Sequence, residues 1–313
     1  MPTVTVIIPI LNAMPYLPEA LASLEAQTFR DFEVCLWDNG SMDGSVEESR
    51  RWIPERLPGR VVSGNPLPLH ECLARMVVEA GTEFVARMDG DDVSVPERFQ
   101  LQLKALQGDL NLGIVGGQCP IMDAAGNPTG NSHPGPIGHE DIVTEMMFRS
   151  SLTHPALLFR REAILHAGNY QRPKPVEDLD LYLRMARICR FQNLSNPVLR
   201  YRVHPNSICQ SDRERQQKQM VDVVAEYSQV NYGIPEVVYR QLRAKRSRLC
   251  IAHFLHSAAY RARGNPWRLL RIACSPSFVF VGRCMTSPRD FASKAGYRVL
   301  EKAIGFFRDR TSL

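Results

Sequence analysis

The chain has 313 residues, 44% of them apolar and 23% charged, with a formal net charge of +5. That is room for one large domain, or one domain and an appendage, with fractions ordinary for a globular protein. The opening MPTVTVIIPI lacks the basic lead and cleavage site of a signal peptide. The longest uncharged apolar run, Ile272 to Gly282, contains Pro276 and is too short to span a bilayer, so an integral spanning protein is not expected.

The charge is uneven. Residues 211–313 hold 19 Lys and Arg against 8 Asp and Glu, net +11, and the first 210 residues are net −6. A neutral-to-acidic body carries a basic tail, which suits either an anionic lipid surface or a solvated helical face. Eight cysteines are scattered with no C-x-x-C pair, which argues against a zinc or thioredoxin-like site. A chain this long needs no disulfide framework, so reduced thiols in a cytosolic setting are expected.

In chain order, Val4-Thr5-Val6-Ile7-Ile8 has the continuous β-branched pattern of a strand buried on both faces, stopped by Pro9. Pro15 to Gln27 reads as a helix with Leu17, Leu21 and Leu24 on one stripe. Phe32 to Trp37 is a second strand, followed by the turn Asp38-Asn39-Gly40-Ser41-Met42-Asp43-Gly44-Ser45 and a helix over 46–52. Arg60-Val61-Val62 is a short strand, Leu69 to Ala80 a helix and Glu83 to Arg87 a strand. Asp89, Asp91 and Asp92 come next, and Pro96 is placed to open a further helix.

Beyond Gly113 the pattern loosens. Ile114 to Gly117 and Ala156 to Phe159 read as strands, Asp123 to Pro128 as a hairpin turn, Glu177 to Cys189 as a helix and Val198 to Val203 as a late strand. From Asp212 on the chain reads as mostly helical and basic. Strands alternating with helices imply βαβ units and a parallel sheet. Ligands of such sheets bind at the carboxyl ends of the strands, where the turns 38–45 and 89–92 both fall.

Crowded carboxylates repel one another unless a cation neutralises them. Asp89 and Asp91 form a D-x-D, a pattern suited to Mg²⁺ or Mn²⁺ with substrate phosphates completing the shell. Gly90 between them permits a tight backbone approach. The competing role for Asp91 or Asp92 is to cap the helix near Pro96.

The string VTVIIPILNAMPYLPEALASLEAQTFRDFEVCLWDNGSMDGS resembles the opening of the inverting family 2 glycosyltransferases of GT-A fold, nucleotide-sugar-dependent enzymes of surface-glycan assembly. The similarity continues through EFVARMDGDDVSVPERF, KPVEDLDLYLRMAR and VLRYRVHPNS and covers about residues 3–208. It implies an α/β GT-A domain over 1–211, a Rossmann-like mixed sheet flanked by helices. The nucleotide-binding half would be about 1–112 and the acceptor half about 113–211, with 212–313 a basic helical C-terminal region.

The resemblance implies a role for each matching position. Pro9 and the residues after it, Leu11 included, begin the nucleotide-binding edge, and Asp38 and Asn39 face the base. The family usually carries two acids there, and Asn39 departs from that, although an amide can still read a base edge. Asp89, Gly90 and Asp91 hold the ribose and the metal-bridged diphosphate, with Asp89, Asp91 and His204 toward a Mn²⁺ or Mg²⁺ cofactor and Arg202 as a phosphate partner. Asp178 matches the general base. His154 and Glu177 lie on the acceptor side.

Other readings stay open residue by residue. Glu177 and Asp178 also suit a helix N-terminus, and Asp180 competes as base from a different helix face. His154 is equally a packing residue, His204 a surface-loop residue, and Arg75 a phosphate partner or a solvated helix residue.

The implied partners are a nucleotide-sugar donor, UDP-sugars favoured, and a glycan or lipid-linked saccharide acceptor. The implied location is cytoplasmic, peripheral on the inner face of the membrane. Val237 to Arg263, with Leu242, Leu249, Ile251 and Leu255 among basic residues, and the apolar group around Trp267 and Phe278, suit either packing on the catalytic domain or docking on an anionic membrane. No nucleic-acid-binding module is present.

Three rivals are weaker. An aspartyl-nucleophile phosphatase would press Lys174 and Glu177-Asp178 into service and leave DNGSMDGS unexplained. A dinucleotide oxidoreductase lacks G-x-G-x-x-G after the first strand. A non-catalytic nucleotide-sugar-binding relative is the best rival outside enzymes, and the intact Asp89, Asp91 and Asp178 argue against it.

Overall fold

The computed structural model describes residues 2–133, 135–173, 175–205, 213–233, 235–237 and 239–240. Of the stretch Val237 to Arg263, everything from residue 241 on lies outside these residues, as do the apolar group around Trp267 and Phe278, the run Ile272 to Gly282, and Lys174.

Strand β1 (Val4–Ile10) pairs in parallel with β2 (Phe32–Asp38) on one side and β4 (Phe84–Arg87) on the other, and β3 (Gly59–Ser63) joins β2. Val4, Val6, Ile7 and Ile8 are buried, as a strand covered on both faces requires. Helices α1 (Leu17–Glu25), α2 (Ser45–Trp52) and α3 (Leu69–Glu79) make the crossovers. On α1 the expected stripe, Leu17, Leu21 and Leu24, is wholly buried, and each such leucine contributes about 2 kcal/mol relative to exposure.

The strand order is β3-β2-β1-β4-β8-β6-β10-β5. From β1 the chain moves outward to β2 and β3, then returns to place β4 on the opposite flank. The gap between the carboxyl ends of β1 and β4 is therefore a topological switch point, where α/β sheets open a crevice.

The parallel expectation holds for these four strands, and beyond them the sheet is mixed. Strand β8 (Leu158–Arg160) runs antiparallel to both β4 and β6 (Leu112–Met122). Strands β9 (Arg190–Pro197) and β10 (Leu199–Arg202) run parallel to β6, and β10 also pairs antiparallel with the two-residue β5 (Val93–Ser94). Strand β7 (Pro128–His133) returns from the expected turn at Asp123.

Several boundaries differ from expectation. Pro9 does not stop β1, which stays in register with β2 through Pro9 and Ile10 because the pairing there does not call on its missing N–H. The strand expected from Ala156 starts at Leu158, after a 3₁₀ turn over His154–Ala156. Helix α4 (Arg98–Gly108) starts two residues after Pro96, with Glu97 at its N-cap and no side-chain cap. Helix α7 (Glu177–Met185) ends at Met185, and the chain turns at once into β9. The other described helices are α5 (His139–Glu145), α6 (Arg161–His166) and α8 (Arg213–Tyr232).

The chain divides into two compact units, Met1–Ile142 with Ser150–Gln219, and Val143–Arg149 with the residues from Met220 on. The first contains the sheet and every candidate site residue. In the second, the Tyr239 hydroxyl donates to the Met147 carbonyl at 2.8 Å, and Arg240 is 2.5 Å from Asp222 and 2.8 Å from Glu236. No helix among the described residues is long and apolar enough to cross a membrane.

Candidate active site

The loops after β1 and β2 are laced together. The Asn12 and Ala13 amides donate to the Ser41 and Ser45 hydroxyls at 2.8 and 2.9 Å, and the Met14 amide donates to Asp43 at 2.8 Å. In return the Met42 amide donates to the Asn12 side chain at 2.9 Å. Burial would raise the Asp43 carboxyl, but hydrogen bonds from the Ser45 hydroxyl and the Met14 and Ser45 amides outweigh it, and its pKa is lowered. Pro9 lies within β1, paired with Trp37, and Leu11 is exposed just past the strand end.

Asp38 is buried at the end of β2 and accepts from the Gly40 and Ser41 amides at 3.2 and 3.1 Å, which closes the turn. The Asn39 amide group donates to the Leu67 carbonyl at 2.8 Å and accepts from the Leu67 amide at 2.7 Å. This is the pairing one strand would offer another. It ties the loop after β3 to the turn after β2.

The third loop carries the acids. Asp89, Asp91 and Asp92 each offer a carboxylate oxygen, and these atoms lie within 4.8 Å of one another. Asp92 does not cap α4. One of its oxygens accepts from the Arg202 amide at 2.8 Å, and the other is buried without a hydrogen-bond partner. Burial, then the charges of Asp91 and Asp89, push the Asp92 carboxyl well above the usual range. Asp89 is also raised, by burial opposed by Arg87 and reinforced by Asp91.

An orphaned buried oxygen beside two more carboxylates fits a hard divalent cation. His204, whose Nε2 is 2.9 Å from Asp91 Oδ2, puts an imidazole beside that oxygen set. The spacing of the triad depends on Gly90. A methyl at its α-carbon would come 2.9 Å from Ile10 Cγ2 and 3.1 Å from Ala13 Cβ, so the acidic loop packs directly on the end of β1.

Arg202, expected as a phosphate partner, is occupied otherwise. Its buried guanidinium donates to the Asp91 carbonyl at 2.7 Å and the Ala124 carbonyl at 3.2 Å, and pairs with Glu19 at 2.5 Å. It also lies 4.8 Å from the Tyr16 ring, which in turn packs 4.7 Å from the His204 ring. It is a rivet joining α1, the acidic loop, the β6–β7 turn and β10.

Asp178 stands in the first turn of α7 and accepts from the Leu179 amide at 2.7 Å. Burial pushes its carboxyl up to about 6, against the pull of that amide and of Arg87. Asp180, the competing acid, is buried and bound to Arg172 at 2.9 Å and Arg184 at 2.6 Å. Glu177, next to Asp178 in the sequence, is buried. His154 is buried, with Nε2 2.8 Å from the Tyr170 hydroxyl, and burial followed by the Arg87 charge holds it neutral, well below the usual histidine range. It is thus a packed residue with a polar partner.

The geometry brings the acidic triad, His204 and the Asp38–Asn39 turn to the switch-point crevice. Asp178 comes from α7 and His154 from the 3₁₀ turn before β8, and the Arg87 charge acts on both of them and on Asp89. Sequence reasoning did not single out Arg87, Tyr16, Tyr170 or Tyr182 for the site. The available signal for Arg87 was one arginine ending an otherwise apolar strand.

Residues 5–165 match the model of the family described as Glycosyl transferase family 2. The chain belongs to that family. The glycosyltransferase is 30% identical over 211 residues to the O-antigen biosynthesis glycosyltransferase WbnJ of Escherichia coli, covering 65% of this chain and 81% of that one. It is also 30% identical over 191 residues to the amylovoran biosynthesis glycosyltransferase AmsE of Erwinia amylovora, covering 58% and 66%.

Among solved structures, S. aureus TarS 1-349 in complex with UDP-GlcNAc superposes with a TM-score of 0.55 at 16% identity, covering 86% of this chain and 83% of that chain. The mannosyltransferase PcManGT of Pyrobaculum calidifontis, in complex with GDP-Man and Mn²⁺, has a TM-score of 0.50 at 20% identity, covering 99% and 83%. These likenesses show the fold, a mixed α/β sheet of GT-A type flanked by helices.

Proposed function

We propose that this glycosyltransferase moves a sugar from a nucleoside-diphosphate donor, UDP-sugars favoured, to a hydroxyl of a glycan or lipid-linked saccharide, with inversion, in surface-polysaccharide assembly. The observation that carries the reading is the acidic triad at the switch point, its carboxylate oxygens within 4.8 Å of one another, with a separate acid, Asp178, in the first turn of α7. Two chemical tasks need two kinds of carboxylate environment, and these residues supply both.

On the donor side, Pro9, Leu11, Asp38 and Asn39 border the nucleotide, and Asp89, Gly90 and Asp91 the ribose and diphosphate. Asp89 and Asp91, with Asp92 and His204 beside them, would hold Mn²⁺ or Mg²⁺. When bound, such an ion supplies positive charge to the leaving diphosphate.

On the acceptor side, the Asp178 carboxylate takes the hydroxyl proton as that oxygen bonds to the anomeric carbon. The bond from the anomeric carbon to the diphosphate oxygen breaks, and the nucleoside diphosphate leaves with the electron pair. A single base and no carboxylate nucleophile make one displacement, hence inversion. Asp180 is a poor candidate for the same work, since both its oxygens are held in ion pairs with Arg172 and Arg184. Glu177 and His154 shape the acceptor side, His154 through Tyr170.

The names of WbnJ and AmsE support a bacterial surface-polysaccharide setting, and the TarS complex supports a UDP-sugar. A cytoplasmic enzyme peripheral on the inner membrane face, with the basic C-terminal region toward anionic lipid, follows as the corresponding location.

The test is Asp178→Asn assayed for transfer with the sugar nucleotide that the protein binds. Loss of the general base predicts a fall in kcat of about 10²-fold or more with donor binding retained. Wild-type turnover in the variant would sink the base assignment.

A further inference from the structure

Strand β2 ends with Asp38 opposite Ser63, the last residue of β3. The next residue, Asn39, ties β2 to both of its neighbours. Its backbone amide donates to the Ile10 carbonyl at the end of β1 at 2.9 Å, and its side chain makes the two bonds to Leu67 in the loop after β3. Those two bonds need an amide. The Leu67 carbonyl accepts a hydrogen bond and the Leu67 N–H donates one, and a carboxylate could answer only the second.

The partner is as constrained as the clamp. Leu67 stands between Pro66 and Pro68, which carry no N–H, so its amide is the single backbone donor over 66–68. Pro66 meets the same turn from the other side. A methyl at the Gly40 α-carbon would come 3.1 Å from Pro66 Cγ, and Gly40 sits at φ +98°, so the proline ring packs where a side chain would otherwise stand. Two contacts therefore seat the loop after β3 on the turn after β2, while Gly64, Asn65 and Pro66 stay exposed.

The strand order β3-β2-β1-β4-β8 sets the direction in which a donor lies. The acidic triad follows β4. His154 stands in the 3₁₀ turn before β8, and its ring lies 6.2 Å from that of Tyr182, so α7 with Asp178 is on the β8 flank. A donor with its diphosphate at the triad and its sugar toward Asp178 extends its nucleoside the other way, along the ends of β1, β2 and β3. Neighbouring strands are about 4.8 Å apart, so β2 stands about 10 Å from β4, a span that ribose and base together cover.

We infer that Asn39 is a positioning residue for recognition of the donor's base: it holds the loop 64–68 on the turn after β2, and this loop, not the Asn39 amide, is what meets the base. The inference rests on the donor being a nucleoside diphosphate. Both polar groups of the amide already carry short bonds to Leu67. A base read by that amide in full would displace Leu67 and unseat the loop. A base read by the loop leaves both bonds in place, and selectivity comes from where the backbone of 64–68 is held.

The experiment is calorimetric titration of UDP, dTDP, GDP and base-free ribose 5-diphosphate, each with Mn²⁺, into full-length wild type, Asn39→Ala, Pro66→Gly and the double variant. Hydrogen exchange at the Leu67 amide is followed in the same proteins without ligand, and it should quicken about fivefold or more in Asn39→Ala. Wild type is expected to bind one nucleotide more tightly than ribose 5-diphosphate. Asn39→Ala and Pro66→Gly should each weaken that nucleotide about tenfold and leave ribose 5-diphosphate within about twofold. The double variant should be no weaker than the worse single one, because both act through one loop.

Pro66→Gly binding as wild type while Asn39→Ala loses the nucleotide overturns the inference, because the amide then meets the base itself. Additive losses overturn it too, as does an equal loss on ribose 5-diphosphate, which marks a structural role alone. Should Asn39→Ala fail to fold, Pro66→Gly decides: nucleotide-selective loss with faster Leu67 exchange upholds the inference, and unchanged binding overturns it. A folded wild type that binds neither nucleotide nor ribose 5-diphosphate sinks the donor reading itself, and the inference with it.

Discussion

Asp178, the proposed base, must be ionised to work, yet it is half-buried, and holding its charge there costs the fold stability. The Asp178 carboxyl titrates near 6 in the folded chain against an ordinary 3.8. The folded state therefore holds a proton between those values that the unfolded state has lost, and stability falls as pH rises through this window. The penalty is complete above about pH 6 and absent below about pH 4. Asp178→Asn should melt above wild type at pH 7.5, by up to about 2 kcal/mol, and the difference should vanish at pH 4; equal melting at both would contradict the burial argument. Asn39 gives a second test at this scale. Asn39→Asp removes the donor to the Leu67 carbonyl and adds a charge beside Asp38, a cost of about 1–3 kcal/mol. Denaturant melts of the variant should show it, with Asn39→Ser not restoring the loss because its hydroxyl is too short to bridge to Leu67.

Between elements, the decisive contact is Arg202. Its side chain is 1% exposed and joins Glu19 of α1, the acidic loop and the turn after β6. Arg202→Met keeps the stem and deletes the fork, leaving Glu19 and the Asp91 and Ala124 carbonyls without it. The expected loss is about 3 kcal/mol, read as a lowered denaturation midpoint, with donor affinity reduced because the acidic loop is no longer anchored. Unchanged stability would mean these bonds are replaced by water. Most elements were readable as patterns. The four parallel strands are short apolar runs, and α1 shows a full leucine stripe. Strand β9 was not readable, because Arg190–Pro197 is largely polar and the apolar periodicity of α7 runs past its real end at Met185. Strand β7 is exposed at every position, so only its turn gave it away. The acids of the site stood out because charge crowded at a strand end demands a ligand. Arg87 and Tyr182 did not, since each sits in an element that reads as core.

For the molecule as a whole, the sheet order explains the site. β1 lies between β2 and β4, so the loops after β1, β2 and β4 are brought to one edge. Hydrogen bonds between the first two loops, and the Gly90 contact between the first and third, hold that edge together. Helix α7 adds Asp178 in its first turn, and the other aspartate of that turn, Asp180, is spent on Arg172 and Arg184.

The central claim is a nucleoside diphosphate joined to this acidic triad by a divalent cation. The most direct measurement is calorimetric titration of UDP-, dTDP- and GDP-sugars into the full chain, with Mn²⁺ and after its removal by chelation, on wild type and on Asp91→Ala. The account predicts binding of one nucleotide class that requires the metal and is lost in Asp91→Ala. A folded protein that binds none of them, or binds one equally well without metal and without Asp91, would contradict it.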